Sequence, residues 1–116
     1  MKKMLLIGAT LGAVLTPSAF AQPAPANAMI LAQANDRCMT TYAVRLTRTD
    51  ATDEAIFKSA VEGCAKLKGQ LYTAIHNEYP TAQASELTVQ LDAAAKPNFL
   101  NLLRRIRSDR AQRAGD

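Results

Sequence analysis

Residues 49–80 read TDATDEAIFKSAVEGCAKLKGQLYTAIHNEYP, and this stretch decides the fold class. At 100° per residue, Ile56, Phe57, Ala60, Cys64, Leu67, Leu71, Ala74 and Ile75 fall within one arc of about 100°. Val61, Ala65 and Tyr72 widen the arc to about half the circumference. Lys58, Glu62, Lys66, Gln70, Thr73, His76 and Asn77 take the other half. The pattern predicts one long amphipathic helix from about residue 53 to about 79. A half-apolar helix packs against two neighbours, so it is read as the central one. Asp50 or Thr52 can cap its start, and Asp53 and Glu54 place negative charge in its first turn, where the helix dipole favours it. Pro80 ends it.

Working toward the N-terminus, Cys38, Met39, Tyr42, Ala43 and Leu46 share one side of a helix over roughly 36–48. Leu31 and Ala28 keep the same phase, which allows a start as early as Asn27. Toward the C-terminus, Ala84, Leu87, Leu91, Ala94 and Ala95 form the face of a third helix beginning near Thr81. Phe99, Leu100, Leu102, Leu103 and Ile106 point about a quarter turn away from that face. Pro97 lies between the two sets, so this helix is read as kinked or broken there. No stretch alternates with the period of a strand. The expected fold is all-α, a small bundle of three or four helices.

The turn between the first two helices centres near Ala51, and Cys38 and Cys64 lie equally far from it on either side. In an antiparallel helical hairpin they share one height, and both fall on the faces that must meet. One Cys38–Cys64 disulfide joining the hairpin is the expectation, with Gly63 allowing close approach.

The compartment follows from the N-terminus. Residues 1–21 read MKKMLLIGATLGAVLTPSAFA. Lys2 and Lys3 precede an uncharged apolar run, Pro17 breaks it, and Ala19-Phe20-Ala21 supplies the small residues that signal peptidase requires. The run is too short for a membrane span, which needs about 20 residues. Cleavage after Ala21 is expected, giving a soluble periplasmic or secreted protein. A rival site at Ala32-Gln33-Ala34 lies far beyond the run. Two cysteines in a small exported chain read as a disulfide. The expected organisation is a signal peptide at 1–21, a flexible lead-in at 22–35 that can join the first helix, a helical domain at 36–108, and an exposed basic tail at 109–116.

Composition removes several functions. The chain has 116 residues, no Trp, 3 Tyr, 3 Phe, 1 His and 2 Cys. So few aromatic residues do not predict stacking platforms, and the usual ligands of a structural zinc site cannot be assembled without help from carboxylates. His76 lies on a polar helix face, and Glu78 is too near in sequence to share its direction. Met29, Met39 and His76 lack the spacing of a copper site. Asp50, Asp53 and Glu54 are explained by capping. There is no Gly-rich phosphate loop and no Cys-x-x-Cys. No catalytic residue, metal ligand or cofactor is assigned.

Charge is uneven. The formal net charge is +4, which falls by two once Lys2 and Lys3 leave with the signal. Lys96, Arg104, Arg105, Arg107, Arg110 and Arg113 crowd the C-terminus against only Asp109 and Asp116. On the wheel Arg110 and Arg113 point the same way as Phe99 and Ile106, so the helix is expected to leave the core near Ile106. Export makes nucleic acid an improbable partner. The leading expectation is a non-enzymatic interaction protein with a protein partner, in the size class of exported stress chaperones and inhibitors. The alternative is a binder of anionic envelope surfaces acting through Arg104, Arg105, Arg107, Arg110 and Arg113. A cofactor-free enzyme stands last.

Overall fold

The computed structural model describes residues 27–115, so the signal at 1–21 and residues 22–26 of the expected lead-in lie outside the described residues. Residues 28–35, expected as flexible lead-in, are instead the first turns of a helix, because Asn27 caps it and Ala28, Leu31 and Ala32 pack into the core. Four helices follow in order: α1 (Ala28–Leu46), α2 (Asp53–Gly63), α3 (Ala65–Glu78) and α4 (Thr81–Gly115). Among the described residues there is no strand, and the fold is all-α. None of these helices is long and apolar enough to cross a membrane.

Local chemistry sets the helix ends. The Asn27 side chain accepts the Ile30 N–H at 2.9 Å and starts α1 at the early limit of its apolar phase. The Glu78 carboxylate accepts the Ala28 N–H at 2.8 Å, so a residue at the far end of α3 also satisfies an orphan donor of α1. Of the two capping candidates before α2, Thr52 takes the role: its hydroxyl accepts the Ala55 N–H at 3.2 Å.

The long helix expected over 53–79 is divided. Cys64 has φ −105° and ψ 10°, outside the α-helical well, and separates α2 from α3. The apolar arc runs on across this point, which is why the sequence pattern does not reveal it. Cys64 is tied to Cys38 by the expected disulfide, with Cα atoms 6.0 Å apart, and is only 2% exposed. Its backbone answers to that cross-link as well as to helix propensity.

The opposite occurs at Pro97. α4 runs unbroken from Thr81 to Gly115 with Pro97 inside it, so of the two expected alternatives, a kink or a break, the break is not present. The missing N–H leaves the Ala93 carbonyl without its helical donor, but Ala93 and Pro97 are both exposed and water can serve it.

Two apolar clusters form the core. Ala43, Ile56, Ala60, Phe99 and Leu103 join α1, α2 and the C-terminal half of α4. Leu71, Ile75 and Ala84 join α3 and the start of α4, with Ala28, Leu31 and Ala32 of α1 packed on them. The disulfide lies between the clusters along α1. Phe57 and Phe99 meet with ring centroids 5.5 Å apart.

Gly63 has a different use from the one its position implies. A Cβ built there falls inside the Tyr42 side chain, which lies across the end of α2. The Arg45 guanidinium covers the same ring, 5.0 Å from its centroid. What approaches closely is thus an aromatic side chain. Gly63→Ala is expected to cost about 1–3 kcal/mol by overpacking, because Tyr42 must leave its place. Urea unfolding checks this, and adding Tyr42→Ala should recover part of the loss. An unchanged midpoint in the single variant would place Tyr42 elsewhere.

Candidate functional site

α1 and α4 each contact both apolar clusters, but between Leu87 and Phe99 the side chains of α4 do not fill the space above the disulfide. A cleft of about 470 Å³ opens there, bounded mainly by α1, α3 and α4, with Val61 of α2 at one side. Its walls include Met39, Val61, Leu71, Leu91 and Phe99, and Cys64 contributes to them. The wall surface is mainly apolar, with polar and charged side chains interspersed among the lining residues. Leu91, on the wall, is 42% exposed.

Three polar residues on one edge form a connected group. The Tyr72 hydroxyl donates to Asp92 Oδ1 at 2.5 Å. Lys68 Nζ lies 3.1 Å from the same oxygen and 5.4 Å from the Tyr72 ring centroid. Burial pushes the Tyr72 phenol well above its ordinary value, and the bond to the Asp92 carboxylate and its charge add to this. The hydrogen bond from Tyr72, followed by that from Lys68, holds the Asp92 carboxyl below the usual carboxylate range. Tyr72 is therefore a fixed donor near neutrality. It positions Asp92 and is poorly suited to act as a base.

Each shift has a direction in pH. Asp92 is more acidic folded than unfolded, so its contribution is present at neutral pH and lost as pH falls through its lowered value. Tyr72 is less acidic folded, so its contribution persists below the ordinary phenol range and is lost only as pH rises above it. Tyr72→Phe is expected to raise the Asp92 carboxyl toward its ordinary value, read by carbon-detected NMR titration. The stability lost is about 1 kcal/mol or less, because Asp92 is largely solvated. An Asp92 titration unmoved by Tyr72→Phe would contradict the pairing.

Asn35 also lines the cleft, and its Oδ1 is buried without a hydrogen-bond donor from the protein. Neither this residue nor the Lys68–Tyr72–Asp92 group stands out from sequence. A signal exists for two of them. Asn35 lies in the middle of the first helix's apolar arc. Asp92 precedes Phe99 by two helical turns and so shares its direction.

The five C-terminal arginines fall in different places. Arg107 pairs with Asp53 at 2.6 Å, at the start of α2. Arg110 donates to Thr47 Oγ1 at 2.6 Å and to the Val44 carbonyl at 2.8 Å. That carbonyl is among the last of α1, where helical partners run out and a cation is favoured. Arg110 points toward the core side, as the wheel indicates, but it meets the end of α1 there and is half-buried. The helix therefore stays docked beyond Ile106. Arg104, Arg105 and Arg113 are exposed. Arg104 donates to Asn101, and with Arg105 and Asn98 they line a shallow basic depression on the outer side of α4. Farther down this helix, Lys96 pairs with Glu54 at 2.7 Å.

His76 is exposed on α3, and among the described residues no His, Cys, Asp and Glu side chains gather in a metal-holding group of three. Comparison with family models, curated proteins and solved structures finds no match to this chain.

Proposed function

We propose that this protein is a small exported binding module with no catalytic step of its own, and that its working surface is the cleft between α1, α3 and α4. The observation carrying the reading is the cleft itself. A mainly apolar concavity of about 470 Å³, with Leu91 42% exposed on its wall, is available to a partner.

The architecture is read as an antiparallel hairpin of α1 against α2 and α3, with α4 laid across it. Three contacts in register support this: Ala28 with Glu78 at one end, Cys38 with Cys64 between, and Ala43 with Ile56 and Ala60 toward the turn. Pro97 is read as a bend by which α4 bows outward between its two docking points, since an internal proline commonly kinks a helix. The cleft then follows from the bow.

Export is supported by the three-part signal at 1–21 and by the Cys38–Cys64 bridge, which suits an oxidising compartment. The rival cleavage site at Ala32-Gln33-Ala34 falls inside α1. Cutting there would remove Ala28, Leu31 and Ala32 from the second cluster. Cleavage after Ala21 leaves α1 whole.

An uncharged naphthylamine dye that fluoresces in apolar surroundings tests the cleft. Binding is expected to fall at least tenfold in Leu91→Asp. Val89→Asp should bind normally, because Val89 is 66% exposed and does not line the cleft. Equal binding by both variants, or equal loss in both, would place the apolar surface elsewhere.

A further inference from the structure

The cleft is not closed off from the basic depression on the outer side of α4. Asn98 and Arg105 line both. An apolar trough therefore opens directly onto a cationic ledge made by Arg104 and Arg105, with the Asn98 and Asn101 amides beside them. Neither arginine takes part in the ion pairs of the described residues, which join Lys68 to Asp92, Lys96 to Glu54 and Arg107 to Asp53.

The charges on the cleft wall are arranged along its length. Asp92 and Arg105 are 13 positions apart on one helix, about 20 Å along its axis. At the Asp92 end, Lys68 and Tyr72 already satisfy the carboxylate. Asp36 of α1 adds an exposed negative charge to the wall. α1 and α4 run in the same direction through both clusters, and Asp36 makes no ion pair with Arg105. At the Arg105 end, positive charge that forms no ion pair adjoins the apolar wall.

We propose that this cleft binds a single-chain amphiphile with an anionic head group. Its hydrocarbon lies along α4 between Leu91 and Phe99, and its head rests on Arg105 and Arg104. The inference rests on the reading of the cleft as the working surface and adds the class of ligand. A guanidinium suits a carboxylate or a phosphate, since its planar fork of donors can meet two oxygens at once. A cleft of about 470 Å³ lies within the range of small-molecule sites, about 300–1,000 Å³. The head group on the ledge stays partly solvated, so its contribution should weaken as salt rises.

Calorimetric titration of the full exported protein with monomeric ligands provides the test. Myristate and monomyristoyl lysophosphatidic acid present the two anionic head groups, and monomyristoylglycerol presents the same chain without charge. Inorganic phosphate presents charge without the chain. At least one anionic amphiphile should bind tenfold or more tighter than the glycerol ester, and the tighter of the two anions identifies the head group. Arg104→Gln with Arg105→Gln should reduce that ligand to the level of the uncharged ester. The helical circular dichroism should not change, because both arginines are exposed. Equal affinity for charged and uncharged chains overturns the inference, as does a preference that survives the double substitution. Phosphate binding as tightly as the amphiphiles would also overturn it. If the uncharged dye binds in the cleft while the amphiphiles fail to discriminate, only the ligand class falls. If the dye also fails, the cleft reading falls with it.

Discussion

Cys38→Ala together with Cys64→Ala should lower the melting temperature by about 15–25 °C while leaving most of the helical circular dichroism in place. The two cysteines are 26 residues apart. In the chain-entropy account a closed loop of this size contributes about 3.5 kcal/mol by restricting the unfolded chain. For a domain of this size each kcal/mol is worth about 4–8 °C. Position adds to the effect. The bridge lies along α1 between the two apolar clusters, neither of which has more than a few fully buried side chains. Without it, each cluster must hold its own part of α1. Calorimetry of oxidised and substituted protein gives the answer. A shift of only a few degrees would mean that the clusters alone set the register and the cross-link is incidental.

Leu103→Ala should cost about 3–5 kcal/mol. Leu103 and Ile56 are the largest fully buried side chains, and both belong to the cluster that docks the C-terminal half of α4. Truncating Leu103 leaves a cavity that Phe99 and Ile106, held on the same helix, can fill only in part. The loss extends to the contacts beyond it, because Arg107 reaches Asp53 and Arg110 reaches Val44 only while α4 is seated. Leu91→Ala, on the same helix but 42% exposed, should cost well under half as much. Equilibrium urea unfolding compares the two. Similar small losses would show that α4 is not anchored past Pro97. Since domains of this kind are commonly stable by about 5–15 kcal/mol, Leu103→Ala without the disulfide should approach complete unfolding at room temperature.

Local chemistry carried by neighbouring residues is legible in the chain itself. Thr52, one of two candidates, caps the helix it precedes, and Pro80 separates α3 from α4, whereas the Asn27 cap that starts α1 well before residue 36 is seen only in the structure. The pairing of Cys38 with Cys64 follows from phase and spacing together. What depends on distant partners is not legible. The apolar arc crosses Cys64 without interruption, so nothing in the pattern marks the division of the central helix at the cross-linked residue. A proline inside a helical pattern signals a break or a bend equally. α4 continues through Pro97, with Ala84 seated in the core on one side and Phe99 and Leu103 on the other. The wheel gives Arg110 its direction, but the carbonyl it meets there belongs to α1, 66 residues earlier in the chain. The cleft is hidden for the same reason. It is a space left between helices, and no single helical pattern encodes a space.

Amide chemical-shift mapping with the uncharged dye on the isotope-labelled, oxidised protein tests the cleft most directly. Binding should move the signals of Met39, Val61, Leu71, Leu91 and Phe99, which face one another across α1, α2, α3 and α4. Shifts confined to Met29, Ile30 and Tyr79, the exposed apolar residues at the end where Ala28 meets Glu78, would contradict the assignment of the cleft as the binding surface.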